Sequence, residues 1–475
     1  MDVSRLRQKY PVFSYESYNW QIQGNDVVID WLMGNDKYQF HPQLRLLGAS
    51  SKIKNIPKAI IDNFIFHLGL VEIFSYWKAF CSPKIIVNTG YLDTYQLAWW
   101  QDLLLNGMGQ YFYENGIDFR EKNFVALTSV PRRVLPALVL PGVFFEKSQK
   151  KLGQGSRRHP SWYKKTLIPV GGGKDSAVTL ELLSNRFWVS QNDVKKTAAF
   201  VLNAQKNPAA IEIIRLSGID QGYQVERRID PLLLQLNKEG FLNGHTPFTA
   251  YLSFLGVFLA YLFGFDEVVF ANERSANEGN VEYEGYEINH QYSKTLAFEN
   301  KFRDYNKRYL SRVNYFSFLR PLYELQIMKI FSGLEKYFHV FLSCNSGQNW
   351  CGKCPKCLAS FIGLYPFVEE KKLIAIFGKN LFSEENLLPI AFEMLGLGKK
   401  KPFECVGTVE ETKIACYLSF KKTPAPNAYP LLKLFRDKVM TKEKNWEERT
   451  KSILNSWDIN HNLPERYTSI LKEYT

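Results

Sequence analysis

The chain has 475 residues, 45% hydrophobic and 23% charged, an ordinary globular composition with length for two or three domains and a sizeable core. Its net charge of +13, from 60 basic and 47 acidic residues, is spread along the sequence and suits an anionic partner such as a nucleotide, a phosphorylated metabolite or tRNA. The seven cysteines, four of them bunched, argue against a disulfide framework and for a metal in a reducing compartment.

The first residues, MDVSRLRQKYPVFSYESY, hold no apolar core of a signal peptide, and the expected location is the cytoplasm. Residues 1–147 mix alternating stretches (NWQIQGNDVVIDW) with helical ones (PKAIIDNFIFHLGLVEIFSYWKAF, TYQLAWWQDLLLNGMGQYFYENG) and read as an α+β domain. Residues 148–165 are basic, without periodicity, and read as a linker.

From residue 166 to 365 strands alternate with helices: Leu167–Val170, Thr197–Asn203, YQVERRI, Glu267–Asn272 and FHVFLSC, with a helix from about Ser176 and another, PAAIEIIRLSG, ending at Gly218. That order predicts an α/β domain built on a doubly wound parallel sheet. The apolar run Thr246–Phe265 is just long enough to span a bilayer, but Pro247, its hydroxyls and its polar flanks make it a buried helix, with no membrane insertion expected. Residues 366–475 read as mostly helical.

The stretch LIPVGGGKDSAVTLELL, Leu167 to Leu183, places three glycines between a strand and a helix. Backbone N–H groups and the helix dipole converge there, which makes an anion cradle. Gly171, Gly172 and Gly173 allow close approach of phosphate. Lys174 adds a point charge, Asp175 is a candidate Mg²⁺ ligand, and Ser176 caps the helix or bonds a phosphate oxygen. Asn203, at the end of the next strand, joins this nucleotide-binding set. The nucleotide motif G-x-x-x-x-G-K-[ST] is not matched. The order GGGKDS resembles instead the S-G-G-x-D-S pyrophosphate loop (PP-loop) of the ATP pyrophosphatases, with Gly171 where that family usually has serine. The resemblance implies ATP cleavage between the α and β phosphates, with AMP placed on an oxygen of the substrate.

Cys344-x6-Cys351-x2-Cys354-x2-Cys357 sets four thiolates within one short segment, the pattern of a structural tetrahedral Zn²⁺ site. An iron–sulfur cluster is the second choice, and its bacterial C-x2-C-x2-C-x3-C-P run is not matched. PP-loop enzymes that make 7-cyano-7-deazaguanine carry a similar clasp.

After the fourth strand comes FANERSANEGNVEYEGYEINHQYSKTLAFE, densely polar at a strand's carboxyl end, where open α/β sheets bind ligands. GGGKDS, NERSANEGN, NHQYSK, YFSFLRPLYELQI, SCN…WCGKCPKC, KPFECVGT and GLVEIFSYWKAFCSP together resemble the MurL family of bacterial epimerases. The resemblance implies an isomerase that uses ATP and Mg²⁺ to invert the terminal L-glutamate of UDP-N-acetylmuramoyl-L-alanyl-L-glutamate through a carboxyl adenylate, releasing AMP and diphosphate, for peptidoglycan synthesis. A free carboxylate resists loss of the neighbouring proton, and adenylation removes that obstacle for a side-chain base. Candidates for base and acid are His290, Glu278, Glu273 and His245, with Cys81 and Cys405 as outsiders. Arg274, Lys294, Arg303 and Arg320 are candidates to clamp the UDP diphosphate or the γ-carboxylate, with Asn277 and Asn280 as further substrate contacts. The N-terminal domain is the expected side for the UDP-sugar. The rivals are another adenylating enzyme of the same loop, either a tRNA thiolase or a deazaguanine nitrile synthase, and a non-catalytic zinc-containing nucleic-acid binder. Nucleic acid is not the expected partner of the epimerase.

Overall fold

The computed structural model describes residues 2–121, 124–131, 164–184, 197–347 and 349–475. The basic stretch 148–165 lies outside them as far as residue 163. Strands β1 (Val12–Gln23), β2 (Asp26–Gly34), β3 (Gln39–Phe40), β4 (Gln43–Leu46), β5 (Lys84–Val87) and β6 (Ala126–Ser129) come first. They are followed by β7 (Thr166–Pro169), β8 (Thr197–Leu202), β9 (Gly222–Arg228), β10 (Glu267–Phe270), a hairpin of β11 (Val281–Tyr283) and β12 (Tyr286–Ile288), and β13 (Asn314–Ser317). The chain folds as two compact units. One holds residues 1–167, 223–268 and 297–315; the other holds 168–222, 269–296 and 316–475.

In the first unit the strand order is β9-β4-β2-β1-β5-β6, with β3 on β2. β1 pairs antiparallel with β2 and parallel with β5, while β4 pairs antiparallel with both β2 and β9. The protein is thus of the α/β class; within residues 1–147, read as α+β, the strands are mixed in direction, and of the strands expected in the parallel sheet β9 departs by pairing antiparallel with β4. β1 and β2 are joined by only two residues, Gly24 and Asn25, and so short a connection forces their antiparallel pairing.

The helix Lys58–Trp77 lies over this sheet. Trp31 donates its indole N–H to the Ile65 carbonyl at 3.1 Å. At Gly69 the helix backbone comes so close that an added Cβ would sit 2.1 Å from the Tyr15 hydroxyl and 2.7 Å from Trp31. Deeper in the same helix Glu72, 1% exposed, receives two bonds from Arg227, at 3.0 and 2.8 Å, and Arg227 also reaches Ser75. By length and composition this helix is apolar enough to cross a membrane, yet 78% of the qualifying stretch is buried within the protein. The apolar run expected to form a buried helix does so, over Phe248–Phe263, and packs Phe258 on Phe64 with ring centroids 5.1 Å apart.

Strands β13, β10, β7 and β8 lie in that order. Val170 donates to Phe200 and Phe318 to Phe270. The core runs from Ile168 and Val201 on the strands to Leu325, Phe361, Ile414 and Leu432 on the helices. The helix Pro208–Ser217 has the boundaries its sequence predicts: Asn207 caps it, Pro208 begins it and Gly218, at φ +77°, ends it. The strand expected at FHVFLSC does not form. Val340 and Phe341 bond back to Tyr337, and Leu342 donates to the Gly172 carbonyl, so the segment spends its backbone groups on a tight turn and on the glycine loop. The strand beside β10 is β13 instead.

Helix propensity alone favours alanine over glycine by about 1 kcal/mol. Gly69→Ala is nevertheless expected to destabilise the protein, by roughly 1–3 kcal/mol, because the methyl overpacks Tyr15 and Trp31. A urea titration gives the sign directly.

Candidate active site

The glycine turn closes β7 and opens the helix Lys174–Ser184. Gly172, at φ +88°, could not carry a side chain. Its Cβ would meet Asn207 Oδ1 at 2.8 Å and the Ala210 nitrogen at 3.2 Å. A Cβ on Gly173 would fall 2.9 Å from Ser343 Oγ. Gly172 is therefore dictated by its dihedral and by the protein packed behind the turn, while a side chain at Gly173 would have to displace Ser343 Oγ. Gly171 alone has open space where a side chain would go. Its N–H donates to Ser176 Oγ at 3.1 Å, and its carbonyl accepts from Asn207 Nδ2 at 3.1 Å. Asn203 follows β8 in the left-handed conformation, φ 54°, which asparagine tolerates better than most residues.

Lys174 is 4% exposed, with its ammonium 2.7 Å from Asp175 and 2.6 Å from Glu324. Oxygens of Asp175, Glu273 and Glu324 all lie within 4.8 Å of one another. Burial works to strip Lys174 of its proton, but the carboxylates of Asp175, Glu324 and Glu273 outweigh it and hold the amine above its ordinary value. Burial pushes the Glu324 carboxyl up to about 8, against the pull of Lys174 and with the push of Asp175 and Glu273. Three acidic groups crowded within 4.8 Å repel one another, which is the electrostatic condition for a cation site.

A second layer holds these groups in place. Arg320, fully buried, donates to the Glu273 carbonyl at 2.6 Å and to the Lys294 carbonyl at 2.5 Å, so one guanidinium ties both residues together. Ser275 Oγ accepts from the Glu324 N–H at 2.9 Å. Glu411 caps its own helix through Thr408 and also accepts from the Leu325 N–H at 2.8 Å. The segment Lys401–Thr408 lies along the polar loop: Lys401 meets Glu278 at 2.9 Å, and Asn280 donates to the Pro402 carbonyl at 2.7 Å. This seats Cys405 with its sulfur 3.2 Å from the Lys294 ammonium.

The sequence candidates therefore separate. Glu273 joins Asp175 in the carboxylate cluster, and Lys294 and Arg320 adjoin it. Glu278 is held by Lys401 and by the Val409 N–H. His290, half-buried, donates its backbone N–H to Asn280. Asn277 accepts from the Leu296 N–H. Arg274 lies 4.3 Å over the Tyr323 ring and bonds Ser456 and Asp458. His245, Arg303 and Cys81 belong to the other unit. There Arg303 bonds Asn314 and the Tyr315 carbonyl, and Cys81 is fully buried, its thiol pushed up by burial although Arg7 opposes. Sequence reasoning passed over Glu324, Asn207, Lys401 and Glu411 as site residues. Glu324 stands inside the stretch RPLYELQ, but only the folded chain brings it to Lys174.

The four-cysteine segment is folded as a single knot. Sulfur–sulfur distances are 3.9 Å for Cys344–Cys354, 3.6 Å for Cys351–Cys357 and 3.5 Å for Cys354–Cys357, with all four sulfurs within 4.8 Å. Thiolates about 2.3 Å from one tetrahedral ion stand roughly 3.8 Å apart, so the set fits a metal. Backbone N–H groups of Ser346 and Lys353 point at Cys344 and Cys351, each at 3.4 Å, as thiolate ligands require.

Fold and site define an α/β protein that gathers a buried lysine and three carboxylates beside a glycine turn, with a four-cysteine knot in the same unit. The chain belongs to the MurL family: it matches the MurL N-terminal domain over residues 4–318 and the MurL C-terminal domain over residues 331–450. Three relatives are each named UDP-N-acetyl-alpha-D-muramoyl-L-alanyl-L-glutamate epimerase. That of Xanthomonas oryzae pv. oryzae (strain MAFF 311018) is 34% identical over 78% of this chain and 77% of its own. That of Micromonospora sp. (strain ATCC 39149 / NRRL 15099 / SCC 1413) is 30% identical over the whole of both. That of Salinispora tropica (strain ATCC BAA-916 / DSM 44818 / JCM 13857 / NBRC 105044 / CNB-440) is 30% identical over 88% and 86%.

Two outcomes follow from this geometry. Gly171→Ser should leave stability within about 0.5 kcal/mol, as an exposed substitution does. Gly172→Ala should lower it by roughly 1–3 kcal/mol through strain and overpacking, and paired thermal melts compare the two. Elemental analysis of purified protein should find one metal ion per chain at the cysteine knot, lost in Cys354→Ser.

Proposed function

We propose that this protein is an epimerase that inverts the terminal L-glutamate of UDP-N-acetylmuramoyl-L-alanyl-L-glutamate to D-glutamate, using ATP and releasing AMP and diphosphate, in the synthesis of peptidoglycan precursors in the cytoplasm. The relatives' shared name supports the reaction, over nearly full-length similarity. The observation that carries the energetic part is the cluster of Lys174, Asp175, Glu273 and Glu324 beside the open Gly171. On this reading the glycine turn is a PP-loop.

A substrate carboxylate oxygen attacks the α-phosphorus of ATP, the bond to diphosphate breaks, and the acyl adenylate forms. The turn receives the departing diphosphate on the N–H groups at the start of the helix Lys174–Ser184, with Lys174 balancing its charge. Asp175, Glu273 and Glu324 offer the hard oxygen donors Mg²⁺ requires. Once bound, that ion would supply Lewis-acid stabilisation of the phosphates. With the carboxylate masked, the Cα proton becomes removable and its electrons pass into the acyl carbonyl. Protonation of the opposite face and hydrolysis then give D-glutamate and AMP. The cysteine knot would hold Zn²⁺ as a structural ion, with Cys344, Cys351, Cys354 and Cys357 as its ligands.

Purified protein incubated with ATP, Mg²⁺ and the L-glutamate dipeptide nucleotide should yield AMP and, after acid hydrolysis and chiral separation, D-glutamate. Asp175→Asn and Glu324→Gln should each lower both products by about 10²–10³-fold, the scale of losing one electrostatic stabiliser. Absence of AMP from folded, metal-loaded protein would refute the reading.

A further inference from the structure

The chemistry above needs a group that takes the Cα proton. We infer that Cys405, paired with Lys294, is the proton acceptor on one face of the glutamyl Cα. This inference rests on the epimerase reading.

The carboxylate candidates are already engaged by cations. Glu278 is bound to Lys401 and a backbone N–H, and Glu273 is one of three acids around Lys174. Cys405 is half-buried, and its sulfur lies 3.2 Å from the Lys294 ammonium. The contact fixes the sulfur beside a charged ammonium. Burial works against the charge on Lys294, but Cys405, Glu273 and Asp175 outweigh it and raise the amine above its ordinary value, so the cation persists.

The pair is built into the site. Arg320 grips the carbonyls of both Glu273 and Lys294, which ties the Lys294 backbone to a member of the carboxylate cluster. The Cys405 side is pinned by Lys401, whose ammonium meets Glu278 and whose N–H meets the Asn280 carbonyl at 2.7 Å. Asn280 also holds the backbone of His290, so NHQYSK and KPFECVGT meet at this point. The other cysteines have different surroundings: Cys81 and Cys416 are fully buried, and four form the knot.

The step balances. The thiolate sulfur forms an S–H bond as the Cα–H bond breaks, and the electron pair moves into the acyl carbonyl to give the enolate. A proton drawn from solvent enters the opposite face. The thiol then returns its own proton to solvent, so the cycle is proton-neutral and the product carries one solvent hydrogen at Cα. Lys294 is a positioning residue that holds the thiolate and does not itself touch Cα.

The test follows two readouts in D2O on the same samples: AMP formed, and deuterium at the glutamyl Cα by mass spectrometry. Wild type should give AMP and D-glutamate with one deuterium. Cys405→Ala should lose deuterium incorporation at least about 100-fold more than it loses AMP formation, the scale of a general base. Lys294→Met should move the same ratio in the same direction, and Cys405→Ser should fall between Cys405→Ala and wild type. If Cys405→Ala epimerises within about 3-fold of wild type, or if AMP and deuterium fall together, the inference is overturned while the epimerase reading stands. If wild type forms no AMP, the reading itself fails, and the inference with it.

Discussion

A lysine ammonium buried beside the glycine turn is the constraint on which the second unit depends. A charge with 4% exposure is tolerated only with opposite charge in contact. Lys174 has two such contacts, Asp175 beside it in sequence and Glu324 from another helix. Those contacts fix where β7, the helix after it and the helix Glu324–Ser332 meet. Removing one partner of such a buried pair costs about 3–5 kcal/mol, so the arrangement is maintained by more than packing. The acids crowd one another, and burial raises Glu324 to about 8, so that a cation entering the cluster would displace its proton. The cluster is thereby stable as a scaffold and still able to gain from a cation.

Around that ammonium, polar contacts lock residues distant in sequence. Arg320 joins residues 273 and 294, Glu411 joins residues 408 and 325, and Leu342 closes on Gly172. Each contact satisfies a backbone group that burial would otherwise leave costly. The polar loop after β10 is long because it houses the hairpin of β11 and β12 and presents Asn280 to Lys401 and Pro402. A loop so constrained is a platform for side chains, in keeping with the function proposed for it.

What the sequence made legible were features set by near neighbours. The strand–glycine–helix junction, the Asn207–Pro208 start and Gly218 end of one helix, and the grouping of four cysteines all depend on a few adjacent residues. The failures lie where distant segments decide. FHVFLSC has the composition of a strand, but its N–H groups were claimed by a turn and by Gly172. Asn314–Ser317 took the place beside β10, with nothing in its four residues to announce it. Glu324 is one acidic residue among 47 acidic ones and becomes part of a site only because its helix begins beside Lys174. The antiparallel seat of β9 could not be read from YQVERRI, because its partner β4 lies far away in sequence.

The central claim is that ATP is spent on a carboxylate of the substrate and not on water. The most direct measurement uses substrate whose glutamate α-carboxylate carries ¹⁸O, with mass analysis of the AMP released. The account predicts ¹⁸O in the phosphate of AMP, transferred when water opens the mixed anhydride at its acyl carbon. AMP formed at the same rate with no label, alongside inverted glutamate, would contradict it and uncouple the phosphate chemistry from the inversion.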